Sequence, residues 1–132
     1  MIRIAIDGPG GAGKSTIAKL VGDKLGLEYI DTGAMYRAVG LKLNREGIKP
    51  DDLISISNVL EETTIDFVNG KIILDGDDVS DIIRTQEISK FASIYSQIPE
   101  VRSKLVDIQR RIAAGKSVIM DGRDIGTNVL TD

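Results

Sequence analysis

Ile2-Arg3-Ile4-Ala5-Ile6-Asp7-Gly8-Pro9-Gly10-Gly11-Ala12-Gly13-Lys14-Ser15-Thr16 is the stretch on which the fold turns. Ile2 to Ile6 is a short apolar run closed by Asp7 and glycines, which reads as a buried strand. Lys14 to about Leu25 reads as a helix stopped by Gly26, with Ile17, Leu20, Val21 and Leu25 as its apolar stripe. Between strand and helix, Gly8 to Ser15 fits G-x-x-x-x-G-K-[ST] at every fixed position, in the context that marks a phosphate-binding loop. Its glycines let the backbone turn with positive φ and aim bare N–H groups inward. Those groups and the positive helix end would hold phosphate oxygens. Gly8, Pro9, Gly10, Gly11, Ala12, Gly13, Lys14, Ser15 and Thr16 are thus the expected nucleotide-binding residues. Lys14 would reach the β- and γ-phosphates, and the Ser15 hydroxyl would ligate Mg²⁺. The bland alternative is a glycine-rich turn that caps a helix.

Working outward, Leu27 to Ile30 reads as a second strand, and strand–helix–strand implies a parallel sheet. Asp31-Thr32 offers an N-cap for a helix running to about Glu46 and closed by Gly47. Pro50-Asp51-Asp52 starts another, with Leu53, Ile56 and Leu60 on one face. The period then changes. Thr64 to Val68 and Lys71 to Leu74, joined by Asn69-Gly70, predict a hairpin. Thr85 would cap a helix with Ile88, Phe91, Ala92 and Tyr95 in line. Pro99 suits the first turn of the next, with Val101, Leu105, Ile108 and Ile112 as its stripe and Gly115 as its end. Ser117 to Met120 reads as a third buried strand, broken by Asp121-Gly122.

Composition narrows the chemistry. Seventeen basic against twenty acidic residues give net −3, so a general polyanion-binding surface is not expected and no nucleic-acid partner is assigned. There is no Cys and no His. Thiol nucleophiles, Cys-ligated zinc and Ser-His-Asp triads are therefore excluded. No apolar run approaches the roughly 20 residues of a membrane span. The start lacks a signal peptide's apolar core, so the expected compartment is the cytoplasm.

In an open α/β sheet, ligands bind outside the carboxyl ends of the strands. The loops after the three strands would therefore converge. They bring Lys14, Arg37 and Arg123 as cations, and Asp31, Asp121 and Asp124 as carboxylates. Cations beyond the loop lysine point to a second phosphate-bearing substrate, which Arg37 and Arg123 could clamp bidentately. Alternatives stay open for each: a surface helix arginine for Arg37, an ion pair for Arg123, a plain N-cap for Asp31. Tyr36 reads as packing rather than stacking.

The ordered set Asp7 to Lys14, Asp31-Thr32-Gly33-Ala34-Met35-Tyr36-Arg37, Ile83-Arg84-Thr85-Gln86-Glu87, Ala92-Ser93, Val101-Arg102 and Asp121-Gly122-Arg123-Asp124-Ile125-Gly126 resembles the bacterial cytidylate kinases of the nucleoside-monophosphate kinase superfamily. The resemblance implies an α/β P-loop NTPase fold of three layers with a parallel sheet and an antiparallel hairpin inserted in the monophosphate-binding region. It divides the chain into a core of about residues 1–31 and 115–132 and a monophosphate-binding region of about 32–114, with the hairpin at 63–75. The implied activity is ATP- and Mg²⁺-dependent phosphorylation of CMP and dCMP. Lys14, Arg37 and Arg123 would be catalytic. Asp31, Thr32, Arg37, Ser93, Arg102, Arg123 and Asp124 would bind the acceptor, with Ser93, Arg102 and Asp124 reading the cytosine edge. On pattern alone, Ser93 is a helix serine and Arg102 a solvated charge.

Family members are longer, which implies a partial domain that stops before the lid. The superfamily strand order would then leave Ile2 to Ile6 as an open edge, a site for self-association. Nucleotide binding without efficient turnover is the corresponding expectation, because lid closure completes the arginine set. The competing readings are a non-catalytic nucleotide-binding module and another small-molecule P-loop kinase.

Overall fold

The computed structural model describes residues 2–7 and 14–122. Its elements in chain order are β1 (Arg3–Asp7), α1 (Lys14–Leu25), β2 (Glu28–Asp31), α2 (Thr32–Arg45), α3 (Leu53–Glu61), β3 (Ile65–Val68), β4 (Lys71–Leu74), β5 (Asp77–Asp78), a 3₁₀ turn at Ile82–Arg84, α4 (Gln86–Tyr95), α5 (Pro99–Gly115) and β6 (Val118–Gly122). The chain divides into two units. The first comprises Met1–Gly33, Phe67–Gly70 and Val106–Asp132, and the second Ala34–Asp66 and Lys71–Leu105.

In the first unit the sheet order is β1-β6-β2, and every pairing is parallel. A parallel sheet must be covered on both faces, and its strands are accordingly apolar on both. Register places Ile4, Ile119 and Tyr29 in one row and Ile6, Asp121 and Asp31 in the next. Alternation puts both rows on one face, where Ala18, Leu27 and Ile119 form a core with Ile4, Ile6, Val21 and Tyr29 against it. The other face carries Val118, Met120 and Ile30, all fully buried. On that side the Arg3 Nε donates to the Ala113 carbonyl of α5 (3.0 Å). The layers are helix, sheet and helix, as expected. Among the described residues β1 pairs with β6 alone.

In the first unit, two details differ from the sequence reading. Of the expected stripe of α1, Ile17 at 56%, Leu20 at 60% and Leu25 at 53% exposure face solvent and only Val21 packs on the core, beside the buried Ala18 and Gly22. The reason is close approach. A Cβ on Gly22 would lie 3.2 Å from Ile119 Cγ2, so α1 needs a small residue at that point of its sheet-facing side. The strand expected to break at Asp121 continues through Gly122, because pairing with Ile6 and Asp7 carries it on.

The second unit is helical and holds β4 and β5, which pair antiparallel; the second sheet of the chain has the order β3-β4-β5. Asn69 (φ 53°) and Gly70 (φ 78°) form the expected two-residue turn, since both positions need positive φ. Asp75 (φ 50°) and Gly76 (φ 89°) repeat that chemistry and fold β5 back on β4, a strand the sequence reading passes over. Asp52 caps α3 through Ser55 N (3.1 Å), and Ile56 and Leu60 are buried. Leu53, expected on that face, is 46% exposed, because it lies in the opening turn before the helix reaches the core. Thr85 caps α4 as expected, with Ile88, Ala92 and Tyr95 buried. On α5 the stripe Val101, Leu105, Ile108 and Ile112 is buried.

Candidate active site

In the first unit the carboxyl ends of β2 and β6 set Asp31 and Asp121 side by side, on the face covered by α1. Neighbouring strands lie roughly 4.8 Å apart, so this row holds two acids within one strand spacing. Ile6 completes the row on β1, and Asp7, from which the glycine-rich loop departs, follows it. Asp121 is only 4% exposed and Thr32 equally buried. The Thr32 hydroxyl donates to the Asp121 carbonyl (2.8 Å), which ties the first residue of α2 to the end of β6. The Tyr29 hydroxyl donates to Asp121 Oδ2 (3.0 Å). Burial, and then the charges of Asp31 and Asp121, push the Tyr29 phenol well above the ordinary tyrosine range. It therefore stays protonated and remains a donor. The Lys19 ammonium lies 5.7 Å from the centre of the same ring.

Asp31 Oδ1 reaches over the start of α2, where a Cβ added to Gly33 would lie 3.3 Å from it. That position fits the capping alternative. Asp31, Thr32 and Asp121 are thus brought together by the sheet end.

The second unit carries three further expected residues. Arg37 is half-buried on α2, Ser93 is exposed on α4, and Arg102 is exposed near the start of α5. Gly40 sets the approach of α2 to α4. A Cβ there would lie 3.0 Å from Ala92 N and 3.3 Å from Ala92 Cα, immediately before Ser93. Tyr36, beside Arg37, is half-buried. Burial raises its phenol, and the Arg102 guanidinium, hydrogen-bonded to the phenol oxygen, opposes that rise. Packing is the expected role for Tyr36, and the structure adds this contact with Arg102.

Gly8 to Gly13, Arg123 and Asp124 lie outside the described residues, as do the side chains of Lys14 and Ser15. The backbone nevertheless opens α1 at Lys14, where the motif requires a helix to begin. Sequence reading placed Asp121 at the sheet end without giving it a role. Its signal is an acid closing the apolar run Val118-Ile119-Met120 on the strand beside β1, the position from which P-loop enzymes hold Mg²⁺. Tyr29 has no such signal. It is one aromatic residue in a four-residue strand, and only register reveals what it reaches.

The cytidylate kinase family model matches residues 4–132. The chain belongs to the cytidylate kinase family. Among curated relatives, the cytidylate kinase of Caldanaerobacter subterraneus subsp. tengcongensis is 56% identical over 131 residues, covering 99% of this chain and 58% of the relative. That of Caldicellulosiruptor saccharolyticus is 56% identical over 135 residues, covering 99% and 60%. That of Fervidobacterium nodosum is 49% identical over 130 residues, covering 98% and 59%. The chain therefore spans about 58–60% of the length of these cytidylate kinases. No helix among the described residues is long and apolar enough to cross a membrane.

Proposed function

We propose that this chain supplies the phosphate-binding loop and the acceptor-binding residues of a kinase that transfers the γ-phosphoryl group of ATP to CMP or dCMP, giving CDP or dCDP. The observation that carries the reading is the row Ile6-Asp121-Asp31 on the α1 face, which sets a buried carboxylate beside the strand from which Gly8-Pro9-Gly10-Gly11-Ala12-Gly13-Lys14-Ser15 departs. In this reading a phosphate oxygen of the acceptor attacks the γ-phosphorus while the bond to the β–γ bridging oxygen breaks, and ADP leaves. The acceptor is already an anion, so no strong base is required, in keeping with a chain that has no His. Positioning and charge neutralisation carry the reaction.

Lys14 would neutralise the β- and γ-phosphates, and Arg37 and Arg123 the acceptor phosphate. Asp31 and Thr32 would border the acceptor. Ser93, Arg102 and Asp124 would read cytosine. A hydroxyl and a carboxylate accept from its exocyclic amine, and an arginine donates to its ring acceptors. Uracil would face Asp124 with an acceptor and leave that carboxylate unpaired. The Ser15 hydroxyl and the Asp121 carboxylate are hard oxygen donors, and Mg²⁺ is commonly held by one or two such groups together with substrate phosphates. When bound there, Mg²⁺ would neutralise charge on the phosphate oxygens. Both substrates are water-soluble nucleotides, which favours the cytoplasm.

The test is ADP formation with CMP, dCMP, UMP and AMP as acceptors, with calorimetry of CMP and UMP in the presence and absence of a non-hydrolysable ATP analogue. CMP- and dCMP-selective binding, with an inefficient turnover that Lys14→Ala abolishes, is the expected result. Equal use of UMP or AMP would refute the cytosine reading. Selective CMP binding without diphosphate formation would identify a binding module instead. We also propose self-association through the outer edge of β1, which sedimentation at increasing concentration would detect; a concentration-independent monomer would refute it.

A further inference from the structure

We propose that Tyr29 is a positioning residue for the Asp121 carboxylate, fixing it toward the nucleotide-bound divalent cation. The inference rests on the reading of Asp121 given above.

The geometry is specific. Tyr29 is the register partner of Ile119, one alternation step below Asp121 on the same sheet face. Its hydroxyl reaches forward along the strands to Asp121 Oδ2 at 3.0 Å. The residue's backbone end is held independently by the Thr32 hydroxyl at 2.8 Å. Side chain and main chain of one buried acid are thus fixed from two residues of the adjoining β2–α2 segment.

A packing role does not account for the hydroxyl. Phenylalanine would fill the same space against Ala18, Leu27 and Ile119 without bringing a polar atom into a half-buried position. The hydroxyl has a use here because Asp121 sits one strand spacing from Asp31. Two acids that close repel each other, and the repulsion favours turning the Asp121 carboxylate away. A donor on Oδ2 opposes that rotation and keeps the carboxylate in one rotamer. The exposed Lys19 ammonium lies 5.7 Å from the ring centre, on the α1 side. Groups that orient a metal-binding carboxylate in this way commonly change metal affinity by tenfold or more when removed.

The experiment uses Tyr29→Phe and Asp121→Asn in the whole protein. Mn²⁺ binding to the complex with a non-hydrolysable ATP analogue is followed by paramagnetic resonance, CMP binding by calorimetry, and thermal unfolding alongside. Tyr29→Phe is expected to weaken Mn²⁺ binding about tenfold, with CMP affinity within about twofold of the parent. Unchanged Mn²⁺ affinity in Tyr29→Phe, beside a clear loss in Asp121→Asn, would overturn the inference and leave the reading of Asp121 standing. Unchanged Mn²⁺ affinity in Asp121→Asn would overturn that reading and the inference with it. Equal losses of Mn²⁺ and CMP affinity in Tyr29→Phe would show a general structural role and also overturn the inference. Should Tyr29→Phe unfold, Tyr29→Trp, which keeps an aromatic ring but places no hydroxyl at Oδ2, gives the same comparison.

Discussion

Gly40→Ala tests whether the packing of α2 on α4 governs acceptor binding. The new methyl carbon would lie 3.0 Å from Ala92 N, 3.3 Å from Ala92 Cα and 3.3 Å from Phe91 C. All three are backbone atoms, so no side chain can swing aside and the helices must separate. Ordinary contact requires a shift of about 0.5 Å. Overpacking of this kind costs about 1–3 kcal/mol. Alanine in place of glycine within a helix returns about 1 kcal/mol. The net expectation is a loss of about 1 kcal/mol, or about 3–5 °C in melting temperature for a domain of this size. The functional effect should be larger. Ser93 follows Ala92 directly, and Arg37 lies one helical turn before Gly40. The shift would change the distance between the proposed base-reading and phosphate-holding groups. A 1 Å misplacement can cost about a hundredfold, so half that displacement should raise the KM for CMP about tenfold. The KM for ATP should stay within about twofold. Steady-state kinetics with each substrate varied, together with thermal unfolding, measures all three. Ala92→Gly added to the variant should not rescue it, because the obstructing atoms are backbone. A lowered melting temperature with unchanged CMP kinetics would refute the link between this contact and the site. Equal losses for ATP and CMP would refute its locality.

Thr32→Val removes the 2.8 Å bond to the Asp121 carbonyl in a buried setting and should cost about 1–2 kcal/mol by chemical denaturation, whereas Thr32→Ser should retain most of the stability. Tyr95→Phe removes the buried hydroxyl that donates to the Ile48 carbonyl and should cost about 1 kcal/mol in the same assay, with nucleotide affinities unchanged. Asp75 supplies a pH dependence. Burial alone would raise its carboxyl, but the Lys42 ammonium and the Thr64 N–H outweigh burial and hold it below the usual carboxylate range. A carboxyl depressed in the folded state contributes stability above its unfolded value of about 4, and that contribution is lost as pH falls through the folded value. Asp75→Asn, which tolerates the positive φ at this position, should therefore flatten the acid side of the stability profile. An unchanged acid limb would show that the contact with Lys42 contributes nothing measurable.

Local chemistry explains why much of this protein could be read without coordinates. A strand ending in glycines, a helix opening at Lys14, an Asn-Gly turn and threonine or aspartate caps each depend on residues within a few positions of one another. Their φ preferences and capping hydrogen bonds are properties of the chain itself. The α5 stripe follows helical period in the same way. Where two surfaces meet, the sequence misled. On α1, Ile17, Leu20 and Leu25 have the right spacing yet face solvent, while Ala18, Gly22 and Val21 lie toward the sheet, because the distance to Ile119 decides which side of the helix is buried. Spacing records that an apolar face exists and says nothing of the separation at which it must pack.

The candidate site divides along the same line. Residue types alone specified the family, and they carry the proposal of a phosphate-binding loop and of arginines suited to an acceptor phosphate. The pairing of Asp31 with Asp121, the reach of Tyr29 to that carboxylate and the approach of Gly40 to Ala92 involve positions 52 to 92 residues apart in the chain. Only strand register and helix packing bring them together, since these fix distances between segments that local propensity leaves free.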